Sequence, residues 1–218
     1  MKYLLKNYGK YKRIIRNKPI RNFLTVRDTD SFLVSYPRSG NTWTRFLLGS
    51  LISNRNTDWK SMESVIPDIY RNSQRQLLAL KEPRVLKSHH SFDQRYNKVI
   101  YLVRNVEDVF VSYFKYHLKF KGLNEAELES FIDQFIHGKL DDFGSWGSNV
   151  DSWLDNIDNV KNGFYLLRYE DLKANTFIEI EKMLNFLNIE RGNSEIEKAI
   201  AWASKENMAK LEHKQSDL

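Results

Sequence analysis

Cysteine is missing altogether from the 218 residues, which excludes a disulfide framework, thiolate metal sites and a cysteine nucleophile. Proline (4) and glycine (9) are scarce, and no low-complexity linker or internal repeat interrupts the chain, so one domain is expected. No apolar run approaches the roughly 18 residues that span a bilayer. The opening stretch MKYLLKNYGKYKRIIRNKPIRNF lacks the uninterrupted apolar core of a signal peptide. A cytoplasmic protein is the expectation. Acidic side chains are absent from residues 1–27, which carry Lys2, Lys6, Lys10, Lys12, Arg13, Arg16, Lys18, Arg21 and Arg27. Elsewhere 25 basic residues face 28 acidic ones, a balance of −3, so the overall charge of +6 belongs to this arm. A broad nucleic-acid-binding face is therefore not expected. Tyr3, Leu4, Leu5, Tyr8, Tyr11, Ile14 and Ile15 interleave with those cations. Two readings of the arm stay open: a helix packed on the domain, or a peripheral contact with an anionic membrane surface.

What is present is an alternation. Short apolar runs rich in β-branched and aromatic residues occur at 31–36 (SFLVSY), 84–88 (RVLKS), 98–103 (KVIYLV) and 163–168 (GFYLLR). Near-continuous hydrophobicity suits strands buried on both faces of a parallel sheet. Helical patterns separate them at 41–53, 106–120, 125–137, 147–157 and 173–188, with one or two further helices in 194–213. The expectation is a three-layer α/β fold with a central parallel sheet. Residues 1–27 form the arm and 28–218 the single domain.

In such sheets ligands sit beyond the carboxyl ends of the strands. After the first run come Pro37, Arg38, Ser39, Gly40, Asn41 and Thr42, where a helix pattern begins. Free amides and a helix dipole make that junction an anion site, Gly40 permits close approach, and Arg38, Ser39, Asn41 and Thr42 add donors. The G-x-x-x-x-G-K-[ST] spacing of a nucleoside triphosphatase is missing. After the second run come Lys87, Ser88, His89 and His90; adjacent strand residues face opposite ways, so one imidazole is expected to reach the site as a base. Arg104 ends the third run and Ser112 lies in the helix that follows, either a second phosphate holder or a surface ion pair with Glu107 or Asp108. No carboxylate cluster with metal-ligand spacing accompanies the histidines, so no metal is expected.

Here the residues resemble a family. YPRSGNTW is similar to the 5′-phosphosulfate loop of sulfotransferases, and VRNVEDVFVSYF to their 3′-phosphate motif. LKSHH resembles their Lys-Thr-His segment, LLRYEDLKANTFIEIEKMLNFLNI their YEDL stretch, and SKENMAKLE a later Ser-Phe-x-x-Met segment. The resemblance implies 3′-phosphoadenosine 5′-phosphosulfate (PAPS) as donor, adenosine 3′,5′-bisphosphate (PAP) as product, and a hydroxyl-bearing acceptor: a carbohydrate, lipid-linked or small-molecule alcohol. It implies that Arg38, Ser39, Gly40, Asn41 and Thr42 bind the phosphosulfate in a P-loop-like strand–loop–helix, and that Trp43 flanks the adenine. Arg104 and Ser112 hold the 3′-phosphate, Tyr169 lies by the nucleotide, His89 is the general base and Lys87 assists the transferring group. Two residues depart from the pattern: Arg38 stands for the usual Lys, and Lys205 for the usual Phe. The family's closing Arg-Lys-Gly segment does not occur before Leu218, which fits either a short bacterial-type variant or a missing tail. Glu63 is an alternative base outside the matched motifs. A phosphoryl-transferring kinase of similar architecture and a non-catalytic nucleotide-binding module are the competing functions.

Overall fold

The computed structural model describes residues 24–216. Four strands form, β1 (Ser31–Ser35), β2 (Val85–Ser88), β3 (Val99–Val103) and β4 (Phe164–Arg168), each within a residue of the run that announced it. Ten α-helices follow the chain among the described residues. They are α1 (Asn41–Ser53), α2 (Met62–Val65), α3 (Gln74–Leu78), α4 (Val106–Phe120), α5 (Leu128–Ile136), α6 (Trp146–Leu154), α7 (Tyr169–Ala174), α8 (Thr176–Leu187), α9 (Asn193–Trp202) and α10 (Lys205–Ser216). The sheet order is β2-β1-β3-β4. β1 pairs parallel with β3 (Phe32 opposite Val99), and β3 parallel with β4 (Val99 opposite Phe164, Val103 opposite Arg168). Every residue of β1 and β2 is buried, as a strand covered on both faces requires. The arm falls almost wholly outside the described residues. Of its cations only Arg27 is seen, donating to the carbonyls of Leu80 (3.1 Å) and Leu78 (2.6 Å).

The chain divides into two compact units. One comprises residues up to Asp30, Thr42–Lys87 and the chain from Ile180 onward; the other comprises Ser31–Asn41 and Ser88–Glu179. In the first unit, α1 buries Phe46, Leu47, Leu48 and Leu51, and Trp59 meets Phe46 edge-on at 5.1 Å. A fully buried Asp30 accepts from Arg84 Nε at 2.7 Å, so neither charge is left unpaired in the interior. In the second unit Trp153 is fully buried and stacks with Tyr96, Tyr101 and Phe164 at centroid distances of 6.1, 5.7 and 6.3 Å. A separate aromatic core gathers Tyr36, Val109, Tyr113, Phe131 and Phe135 around α4 and α5.

Two helix expectations are refined. The 173–188 pattern breaks at Asn175, which leaves helical geometry (φ −135°, ψ 55°) between α7 and α8. The 125–137 pattern starts as a 3-10 turn over Glu125–Glu127 before α5. Between α1 and β2, α3 forms behind a capping box. Ser73 Oγ accepts from Gln76 N at 3.3 Å, and Gln76 Oε1 accepts from Ser73 N at 2.8 Å.

Candidate active site

The second unit holds the loop that follows β1. Its backbone turns through two left-handed positions, Arg38 at φ 69° and Gly40 at φ 103°. A Cβ on Gly40 would lie 2.5 Å from Tyr169 Cδ2, so glycine is needed both for its backbone angle and for the Tyr169 ring beside it. That ring carries a second group: the Arg104 guanidinium sits 4.3 Å from its centroid. Arg104 Nη1 also donates to Arg38 O at 3.5 Å, and Nη2 meets Asp108 at 3.4 Å, an ion pair whose carboxylate is mostly exposed and so contributes little. The surface-ion-pair reading of Arg104 thus holds in part without removing Arg104 from the loop. Arg38 lies 4.9 Å from the centroid of the Tyr116 ring, and its Nε donates to Ser112 Oγ at 3.2 Å. Ser112 therefore reaches Arg38 where the resemblance paired it with Arg104.

Two guanidiniums thus flank one loop, and several polar atoms around them have no partner among the described residues. Ser39 Oγ, Asn41 Oδ1 and Arg104 Nε are buried and make no hydrogen bond. Native folds rarely leave such groups unsatisfied. Ser39 Oγ and Arg104 Nε are unspent donors, and with the cation pair they suit an anion, so these residues fit the phosphate and sulfate groups of PAPS; the Asn41 amide oxygen only accepts and is not part of that fit.

His89 stands on the same unit. His89 Nδ1 lies 2.6 Å from Ser35 O, and since a carbonyl only accepts, Nδ1 carries the proton and Nε2 keeps the lone pair. The Ser35 hydroxyl is 3.5 Å from that same nitrogen and accepts from Asn41 Nδ2 at 3.1 Å. Ser35 therefore joins the loop after β1 to His89. The His89 carbonyl is held by Asn149 Nδ2 at 3.1 Å, and Asn149 Oδ1 accepts from Tyr101 OH at 2.9 Å. The His90 carbonyl takes the Trp153 indole N–H at 2.9 Å, and the His90 ring lies 6.0 Å from the Phe143 ring. Sequence reasoning missed Ser35, Asn149 and Glu170, the last accepting from Asn105 N at 2.9 Å. For Asn149 a signal existed: a polar residue on the buried face of α6 beside Val150 and Trp153.

Thr42, Trp43 and Lys87 belong to the first unit. Thr42 is exposed at the start of α1. The Trp43 indole N–H donates to Ala203 O at 3.1 Å, which fixes the ring against the end of α9. Lys87 is buried, its Nζ 2.9 Å from Asp68 Oδ2 and 5.0 Å from the centroid of the Tyr70 ring. Burial pulls its ammonium down to about 8, against the opposing pull of Asp68. Glu63 is committed elsewhere: Oε1 accepts from Arg45 at 2.9 Å, and Oε2 accepts from Asp68 N at 2.9 Å and Asn72 Nδ2 at 3.0 Å. These contacts tie Glu63 to Arg45, Asp68 and Asn72 within the first unit.

A parallel α/β sheet with a cationic anion loop and a tautomer-fixed histidine at its strand ends defines a group-transfer enzyme acting on an anionic donor. Comparison with known proteins gives the family. A sulfotransferase domain model matches residues 28–218. Sulfotransferase 1E1 of Bos taurus is 30% identical over 216 residues, covering 91% of this chain and 72% of that protein. Sulfotransferase 1 family member D1 of Mus musculus is 33% identical over 180 residues, covering 74% of this chain and 60% of that protein. The chain thus spans between three fifths and three quarters of these curated relatives. Among solved structures, mouse sulfotransferase SULT7A1 complexed with PAP superposes with a TM-score of 0.71 at 25% identity, over 88% of this chain and 71% of that one. Retinol dehydratase in complex with androsterone and PAP shares the fold at a TM-score of 0.68 and 22% identity, over 93% and 71% of the two chains. The chain belongs to the PAPS-dependent sulfotransferase family.

Proposed function

We propose that this chain transfers a sulfuryl group from PAPS to a hydroxyl acceptor, with His89 as general base and residues 28–218 as one sulfotransferase domain. The observation that carries the reading is the line Asn41–Ser35–His89, which ties an anion loop to a histidine in its basic tautomer. PAPS supplies the sulfuryl group and leaves as PAP. His89 Nε2 accepts the acceptor's hydroxyl proton while the acceptor oxygen bonds to sulfur and the bridging oxygen–sulfur bond breaks. Arg38, the loop amides and Ser39 Oγ stabilise the charge that grows on the departing phosphate, and they are in place before the reaction starts. Arg104 binds the 3′-phosphate over Tyr169, Ser112 holds Arg38 in position, and Thr42 and Trp43 complete the nucleotide end. Lys87 assists the transferring group. A cytoplasmic location and a contact of the basic arm with anionic lipid complete the proposal; no described helix is long and apolar enough to cross a membrane.

The test is transfer of radiolabelled sulfate from PAPS onto a panel of phenols, sterols, simple sugars and, because an amine sulfotransferase of Oryctolagus cuniculus is also similar at 29% identity, amines. Label appearing on an alcohol or phenol supports the proposal. Label on amines alone overturns the hydroxyl assignment, and PAP binding without any transfer favours a non-catalytic module.

A further inference from the structure

The turn from Gly138 to Ser145 is built more tightly than a connection between α5 and α6 requires. Its neck is closed: a Cβ on Gly138 (φ 65°) would come within 2.3 Å of Ser145 N and 2.5 Å of Gly144 C. Inside the turn, Asp141 uses both carboxylate oxygens. Oδ1 accepts from Phe143 N at 2.8 Å, and Oδ2 accepts a short hydrogen bond from Tyr113 OH of α4. Tyr36 OH, from the residue after β1, donates to Gly144 O at 3.2 Å. Phe143, the residue that Asp141 fixes, sets its ring edge-on to His89 with centroids 5.3 Å apart at 65°. It meets His90 in the same manner at 6.0 Å. Tyr113 in turn is the neighbour of Ser112, which holds Arg38.

We propose that Asp141 is a positioning residue for His89: it ties the 138–145 turn to Tyr113 and so fixes Phe143 as the aromatic wall of the imidazole. The proposal rests on the sulfotransferase reading only in taking His89 as the base. A carboxyl group in this place is costly. Burial raises Asp141 above the usual carboxylate range, Asp142 adds to the rise, and Lys121 and the Tyr113 hydroxyl act against it. Tyr113 is itself pushed up by burial and by Asp141. A turn that needed only closure could use its glycines. A buried carboxyl aimed at a tyrosine on the helix carrying Ser112 registers the base wall against the nucleotide side of the unit.

The experiment reads the imidazole directly and needs no acceptor. The His89 ring resonance is assigned by its loss in His89→Gln, and Phe143→Ala gives its position without the ring current of the wall. Asp141→Asn and Tyr113→Phe are then recorded, each checked for an unchanged melting temperature, with PAP titrated into all of them. The expected result is that both variants move the His89 resonance most of the way to its position in Phe143→Ala while PAP still binds. A resonance left at the wild-type position in either folded variant overturns the proposal. Should Asp141→Asn fail to fold, Tyr113→Phe, which removes one hydroxyl, decides alone. Failure of PAP to bind the wild type counts against the sulfotransferase reading and leaves the resonance test standing.

Discussion

The Arg104 guanidinium lies on the Tyr169 ring, 4.3 Å from its centroid, and the opposite constraint on that ring comes from Gly40. One aromatic side chain thereby sets the place of a cation and leaves no room for a side chain at position 40.

Gly40→Ala follows from this relationship. The added methyl meets Tyr169 at 2.5 Å while the backbone is held at φ 103°, so the variant has to shift the ring, the loop or both. The strained backbone costs about 1–3 kcal/mol. The melting temperature is expected to fall and PAP affinity to drop at least about tenfold, a loss of about 1.4 kcal/mol. Adding Tyr169→Ala should not restore binding, because it relieves the clash and leaves the backbone angle. Wild-type affinity in Gly40→Ala, measured by calorimetry, contradicts the described loop.

His89 carries the second prediction. With Nδ1 pinned to Ser35 O, only Nε2 accepts a proton, so His89→Gln should lower the transfer rate by about 10²–10⁴ while PAP binding stays within about twofold. Single-turnover rates beside PAP titrations separate the two quantities. Full activity in the variant moves the base to another residue.

Lys87 carries a prediction about pH. Burial brings its ammonium down to about 8, so the charge is present below that pH and lost above it. If that charge assists transfer, the rate declines as pH rises through about 8, and Lys87→Met lacks this alkaline limb. The stability effect has the opposite sense. The unfolded Lys keeps its proton up to its ordinary 10.5, so the protein gains stability from about pH 8 to 10.5, and the cost of a buried ammonium is in force below 8. A pH–rate profile identical in wild type and Lys87→Met removes Lys87 from the transfer.

The four strands and α4 were legible because burial on both faces writes itself into the sequence as unbroken apolar runs, and a 15-residue helix shows its period plainly. The turn after β1 was legible too, because Gly40 and a cluster of polar residues follow directly on a buried strand. What escaped was set by contacts between distant positions. Asn149 and His89 are 60 residues apart, and Ser35 and His89 are 54 apart, so no local pattern announces either hydrogen bond. The bond of Trp43 to Ala203, 160 residues away, is likewise visible only in the fold. The break at Asn175 separates two apolar faces that share one helical period, which concealed it.

Calorimetric titration of PAP beside AMP, in wild type and Arg104→Ala, tests the central claim most directly. A hydrogen-bonded charge contact is worth about 1.5–3 kcal/mol. Wild type should therefore prefer PAP clearly over AMP, and Arg104→Ala should lose about tenfold or more in PAP affinity with AMP binding nearly unchanged. Equal binding of the two nucleotides by wild type, or equal weakening of both by Arg104→Ala, would contradict a 3′-phosphate site at Arg104 and with it the reading of this loop as a PAPS site.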